Sequence, residues 1–272
     1  MGTAVIAGLW MAGLLRSAAA PAAVVDTPTV RLDAAGLASR LAAAGDATPD
    51  LVGVDLSGLD LTGVNFKQAN LTGARLAGTK LAGANLFSCD LTDAVASDAV
   101  LTRANMDGTV LRRADFQRAN LEGASLFATI LEQTNLAGAN LAGTRIIGYL
   151  RSANLSGASL RKSHAGADPG NQSMGVMRAT FVGANLSGAD LSGANLYKAD
   201  FSHADLTGAR LIGVNLENAD LVQTDFGRAD LTGARLAKSN IEGANFRGAT
   251  GISRTQGMDQ TRNRDKALFD EN

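Results

Sequence analysis

Apolar residues recur along this chain at every fifth position. In ANLSGADLSGANLYKADF, residues 184–201, Leu or Phe stands at 186, 191, 196 and 201, with Ala two places before each, Asn or Asp one before and often Gly two after. Neither the 3.6-residue period of a helix nor the alternation of a strand fits this spacing. With the Leu/Phe position called the centre, centres run Leu56, Leu61, Phe66 and Leu71 onward to Leu141 and Ile146, lapsing only at Ala96 and Met106. One residue is then dropped, so that Leu150, Leu155 and Leu160 follow. From Phe181 the first phase returns and holds to Phe246.

The pattern Ala-(Asp/Asn)-Leu-x-x resembles the pentapeptide-repeat family, from about Leu51 to Thr250. The resemblance implies an all-β fold: a right-handed quadrilateral parallel β-helix, a solenoid with one pentapeptide per side and four per coil. The centre and the residue two before it would point inward, the other three outward. The residues support four sides independently. Phe181 and Phe201 are twenty apart, as are Phe226 and Phe246, and stacked rings on successive coils would add about 0.5–1.5 kcal/mol beyond burial. Coils at strand spacing, about nine of them, predict a rod on the order of 43 Å long. Pro21, Pro28, Pro49 and Pro169 all avoid the regular repeats, where a missing N–H would break the pairing.

The flanks divide the rest. Gly2 to Leu15 is uncharged, apolar and too short to span a bilayer comfortably, and Ala20-Pro21-Ala22 has the small-x-small form of a cleavage site. Residues 1–22 are therefore expected as a signal peptide and the protein as periplasmic or secreted, with a cytoplasmic location as the alternative; no second apolar stretch reads as a membrane anchor. Residues 23–50 are expected as a linker and a short N-terminal capping helix, Asp33 its N-cap, Leu37 and Leu41 on one face and Gly45 its stop. Coils are expected over 51–160 and 176–250, separated by an irregular insertion at 161–175. Residues 251–272 are expected to cover the last coil and then fray.

Charge and chemistry narrow the function. Acids and bases nearly cancel, leaving a formal charge of −1, which favours neither nucleic acid nor anionic membrane as a partner. The single cysteine, Cys89, excludes an intrachain disulfide and occupies an inward small-residue position, where a thiol replaces Ala. His164 and His203 lie far apart, and neither a phosphate-cradling glycine loop nor a nucleophile elbow is present. No catalytic residue, cofactor or metal is implied.

Two features depart from the repeat. The insertion RKSHAGADPGNQSMG carries His164, Asp168, Asn171 and Gln172, with Met174 and Met177 adjoining. It reads as a polar loop for a partner or ion, or as a tolerated surface insertion; one His and one Asp form no metal spacing. Elsewhere the outside is unusually apolar. Phe87, Phe127 and Ile147 follow a centre, in one column on nonadjacent coils, while Val110 and Ile130 precede a centre one coil apart, and Val95, Val100 and Tyr149 add to them. This is a candidate patch for an unknown protein partner, unless a slipped register around Ala96 and Tyr149 turns some of these inward or the insertion covers them.

The family resemblance raises a second class of function, since some members mimic DNA and bind DNA gyrase or topoisomerase. Mimicry needs a sustained negative face. Asp200 and Asp220, and Asp205 and Asp225, are expected as neighbours on successive coils, but Lys198, Arg210, Arg228, Arg235, Lys238 and Arg247 interleave and cancel the field. Those relatives also dimerise through an apolar C-terminal helix, for which Ala267–Phe269 is a poor substitute, so a homodimer lacks support. The residues favour a non-catalytic, rigid protein-binding or scaffolding rod; an accessory subunit of an exported enzyme is the third reading.

Overall fold

Each five-residue unit closes its own turn. Between Asp60 and Val64, the Leu61 carbonyl accepts the Val64 N–H at 3.1 Å, and Gly63 takes φ +70°, the left-handed value such a turn demands of its second central residue. The Asp60 carboxylate accepts the Thr62 N–H at 3.2 Å, and Asn65, Asn120 and Asp205 repeat this contact. Asn and Asp therefore precede the centre because their side chains satisfy the corner's spare N–H.

A closed corner leaves the remaining backbone groups pointing along the axis. The Leu61 N–H donates to the Lys80 carbonyl at 2.7 Å, Gly63 to Ala82 at 2.9 Å, and Lys80 returns a bond to Leu59 at 2.8 Å. Parallel bridges join Asp50 to Asn70, Asp55 to Arg75, Asp60 to Lys80 and Asn65 to Asn85, and the regular coils continue in this way, each partner twenty residues on. The computed structural model, which describes residues 30–167 and 178–271, is thus an all-β solenoid of stacked coils. The leader expected at 1–22 lies outside the described residues.

Every centre from Leu51 to Leu160 and from Phe181 to Phe246 is buried, Ala96 and Met106 included. No slip occurs at Ala96: Val95 stays on the outer ladder between Arg75 and Asp115. The position two before the centre is filled mostly by Ala, and where Thr stands there its hydroxyl finds a carbonyl, as Thr134 does on Leu111 (2.7 Å) and Thr224 on Phe201 (2.8 Å). Phe181 stacks on Phe201 with centroids 4.5 Å apart, and Phe226 on Phe246 at 4.8 Å.

Helix α1, Ala34–Ala43, begins at Asp33, whose side chain accepts the Gly36 N–H. Its buried Leu37 and Leu41 join the core, Gly45 follows with φ +55°, and Lys67 Nζ donates to the Leu41 carbonyl near the helix end at 3.2 Å.

Three places depart from the five-residue rule. The dropped residue falls where β1, Ser125–Ile130, pairs with β2, Arg145–Tyr149: Phe127 partners Ile147, Thr129 partners Gly148, and Ala128 is left as a bulge with φ +56°. Residues 161–167, expected as the start of the insertion, still follow the coil. His164 bridges Arg145 on one side and Asn195 on the other, and Ala167 donates to Tyr197 at 2.8 Å. The next described bridge is that of Thr180 to Tyr149.

The third departure corrects the expectation of a fraying end. Residues 251–271 make a further coil with six residues to a side: Thr250, Gln256, Arg262 and Leu268 bridge Asp230, Arg235, Asn240 and Asn245 in turn. Each extra residue is absorbed in a 3-10 turn, at Ile252–Arg254, Met258–Gln260 and Arg264–Lys266, and Phe269 extends the ring stack onto Phe246 at 5.2 Å.

Candidate functional site

The rebuilt corner of β1 and β2 is one of the places where the exterior turns apolar, through Tyr149. In a regular coil the second residue after a centre takes a left-handed φ, as Ala128 still does in β1. β2, one residue shorter, crosses the corner without a left-handed residue, and Gly148 lies so close to Thr129 that a Cβ would collide with the Thr129 carbonyl oxygen. The straightened backbone carries Tyr149 onto the outer ladder between Ile130 and Thr180, where it is 54% exposed.

The structure brings some predicted residues together and separates others. Phe127 and Ile147, expected on nonadjacent coils, are direct register partners. Ile147 is only 3% exposed and so offers little contact area. Phe127 is half-buried, with the Arg145 guanidinium 4.2 Å above its ring, a cation–π contact. His164 is exposed beside Arg145. Phe87, 42% exposed, stands two coils away, with Asp107 between it and Phe127. Asp107 accepts the Ser125 hydroxyl at 2.5 Å and the Phe127 N–H at 2.9 Å, buttressing β1. Val95 is exposed, Val100 and Val110 half-buried, and Ile130 buried. Asp168, Asn171, Gln172 and Met174 lie outside the described residues.

Two neighbours went unread in the sequence. Tyr197 shares the column of Phe127 and Ile147 and packs its backbone against Gly166, where a Cβ would sit 2.7 Å from the Tyr197 nitrogen. Arg178 lies 3.7 Å from Asp200 and 3.4 Å from Asp220. Tyr197 could have been found from its column; the reach of Arg178 needed coordinates.

Charges elsewhere are largely paired between coils. Arg113 grips Asp93 through two bonds of 2.8 and 2.6 Å, and Arg118 grips Asp98 likewise at 2.8 and 2.7 Å. The Arg118 bonds hold the Asp98 carboxyl below its usual range. Arg161 meets Asp190 at 2.9 Å and Arg235 meets Glu217 at 2.7 Å. Asp200 and Asp220 are stacked, as are Asp205 and Asp225, but the first pair shares Arg178, and Arg262 also approaches Asp220. Burial pushes the Cys89 thiol up to about 12, out of reach of nucleophilic chemistry near neutrality. Among the described residues, no three or more His, Cys, Asp or Glu side chains gather to hold a metal ion, and no helix is long and apolar enough to cross a membrane.

The chain matches the family described as pentapeptide repeats, in eight copies, over residues 50–86, 89–126, 119–148, 177–211 and 209–248. Among solved structures it is similar to HetL, a pentapeptide repeat protein involved in heterocyst differentiation regulation in the cyanobacterium Nostoc sp. strain PCC 7120. The identity is 30%, covering 87% of this chain and 94% of that one, with a TM-score of 0.43. It is also similar to trypsin-treated QnrB1, a plasmid-mediated fluoroquinolone resistance protein, at 15% identity over 77% and 88% of the two chains, TM-score 0.45. A third similarity, to a pentapeptide repeat protein of the Arabidopsis thaliana thylakoid lumen, has 23% identity over 60% and 71%, TM-score 0.21. No curated protein matches the chain.

Proposed function

The chain belongs to the pentapeptide-repeat family, and from that premise we propose that it is a non-catalytic, rigid rod that binds a protein partner at the rebuilt corner. The carrying observation is the exposure of Tyr149 on the same strand pair as half-buried Phe127, where the repeat itself is broken. A stiff coil holds such side chains in place at little entropic cost on binding, and aromatic anchors are what protein interfaces favour. Phe87, His164, and Asp168, Asn171, Gln172 and Met174 of the insertion would extend the contact. The twenty-residue pairing offset supports a four-sided coil, taken to be right-handed as in the family, with α1 as its N-terminal cap. The apolar opening supports a periplasmic or secreted location, and so a scaffold of the bacterial envelope.

The test is affinity capture from the native host with the chain and with a Phe87→Ser, Tyr149→Ser variant. Loss of one specific partner at an unchanged melting temperature is the expected result; capture indifferent to both residues refutes the assignment. DNA mimicry is the competing reading, and the ion pairs of Asp200 and Asp220 with Arg178 weigh against it. Inhibition or protection of gyrase supercoiling by the purified protein, together with cytoplasmic fractionation, would replace the present reading with that one.

A further inference from the structure

A regular coil leaves an edge that another coil can join. On each side it directs two N–H groups along the axis, as Leu61 does to Lys80 and Gly63 to Ala82, and an exposed edge of this kind is a template for pairing with a second chain. The coil at 251–271 leaves less of such an edge. Where a regular corner closes one N–H on its own turn, as Val64 does on Leu61, each of its corners closes two: Arg254 and Thr255 donate to Gly251 and Ile252, Gln260 and Thr261 to Gly257 and Met258, Lys266 and Ala267 to Asn263 and Arg264. The hydroxyls of Thr255 and Thr261 bond the Ile252 and Met258 carbonyls a second time, at 2.7 and 2.8 Å.

The same coil is fastened to the one beneath it. Gly257 rides close above Ala237, where a Cβ would meet the Ala237 Cβ at 2.6 Å. The Asp270 carboxylate accepts the Gly248 N–H at 3.0 Å, in the place of the backbone carbonyl that meets such a donor between regular coils. The Arg264 guanidinium stands 5.7 Å from the centroid of Phe269, the last ring of the stack. Arg254, Asp259 and Asp265 are exposed around the rim, and charge on an edge is a known guard against pairing.

We infer that residues 251–271 are an end-blocking coil whose function is to prevent a second copy of this chain from adding to the rod through its open edge. Repeat arrays need terminal units unlike the rest; here the unlikeness is a sixth residue per side, which closes one more N–H of each corner on its own turn.

The test replaces residues 251–270 with a copy of 231–250, leaving a regular edge, and measures mass by light scattering over a concentration series. The native chain should remain a monomer while the replaced chain, with its melting transition retained, doubles or multiplies its mass as concentration rises. A replaced chain as monomeric as the native one overturns the proposal, as does a native chain that associates through this end. A second variant keeps the natural backbone and removes the rim charges, Arg254→Val, Asp259→Val and Asp265→Val. If the replaced chain does not fold, association of this variant supports the proposal, and its staying monomeric at every concentration overturns it.

Discussion

Gly143 and Gly148 stand five residues apart on two kinds of corner, and they are glycine for opposite reasons. At the regular corner of Leu141–Thr144, Gly143 holds φ +64° and a Cβ there would meet nothing within 4 Å; the position asks for a conformation, not for room. At the rebuilt corner Gly148 has no positive φ, but its backbone runs against Thr129, whose hydroxyl oxygen would sit 2.7 Å from a Cβ; the position asks for room. The regular corners therefore tolerate other residues at a modest cost, and Asp93, Asp98, Arg113 and Arg118 indeed occupy the equivalent place with φ between 56° and 59°. The rebuilt corner tolerates none. The repeat is robust because its demands are local. Where one residue is lost, the demand passes to the neighbouring coil.

The largest effect should come from placing a charge inside one region and outside the other. Leu191→Asp puts a carboxylate into a dry column and should cost at least about 4–5 kcal/mol, unfolding several coils. Tyr149→Asp, at an exposed site, should leave the melting curve nearly unmoved. Equal melting temperatures for the two variants would refute the inward register.

Next comes the glycine pair. Gly148→Ala should destabilise by about 3 kcal/mol, because backbone must move to admit the methyl. Gly143→Ala should cost only about 1 kcal/mol, the left-handed penalty. Chemical denaturation of both decides it, and a cost for Gly143→Ala as large as that for Gly148→Ala would erase the distinction between the corners.

Acid should probe the regular corners selectively. The Asp98 carboxyl is held low by the two Arg118 bonds, and Asp60 by the Thr62 hydroxyl and N–H. A carboxyl whose folded pKa is depressed stabilises the fold above its unfolded value, 3.8 here, and loses that contribution as pH falls through the lower folded value. The melting temperature should thus be insensitive to these groups above about pH 5 and decline below about pH 4. Carboxyl titration followed by NMR in an Arg118→Gln variant should return Asp98 toward 3.8; an unchanged Asp98 would show that the ion pair is not formed in solution.

The smallest effect concerns Cys89. Buried in a regular coil with its thiol pushed up to about 12, it should resist thiol reagents near neutral pH until the coil opens. Labelling at the rate of a free thiol, without denaturant, would mean that these coils open readily.

Most of the fold was legible because a solenoid repeats one local decision. The inward set from Leu51 to Phe246, the stacking of Phe181 on Phe201 and the helix begun by Asp33 all follow from spacing and residue type. The six-residue end is written in GISRTQ, GMDQTR and NRDKAL, but these three units share no apolar centre, so nothing in their spacing marks them as sides of a coil. The candidate site was half legible. Tyr149, Phe87 and Phe127 could be placed outside from their columns, whereas Ile147, in the same column, is buried, and the partnership of Arg145 with Phe127 joins residues eighteen apart.

By itself the sequence determined the five-residue side, the membership of each column and the content of the core, since each depends only on which side chain can lie in a dry interior at a given step. What became of the residue missing before Leu150 was decided by tertiary structure. Deletion alone does not say whether the chain stretches, slips or bulges; that depended on β2 crossing the corner without a left-handed residue, Ala128 of β1 going unpaired, and Thr129 receiving Gly148 at close range. The shape of the last coil was decided the same way, because a sixth residue per side is accommodated only against the coil below it.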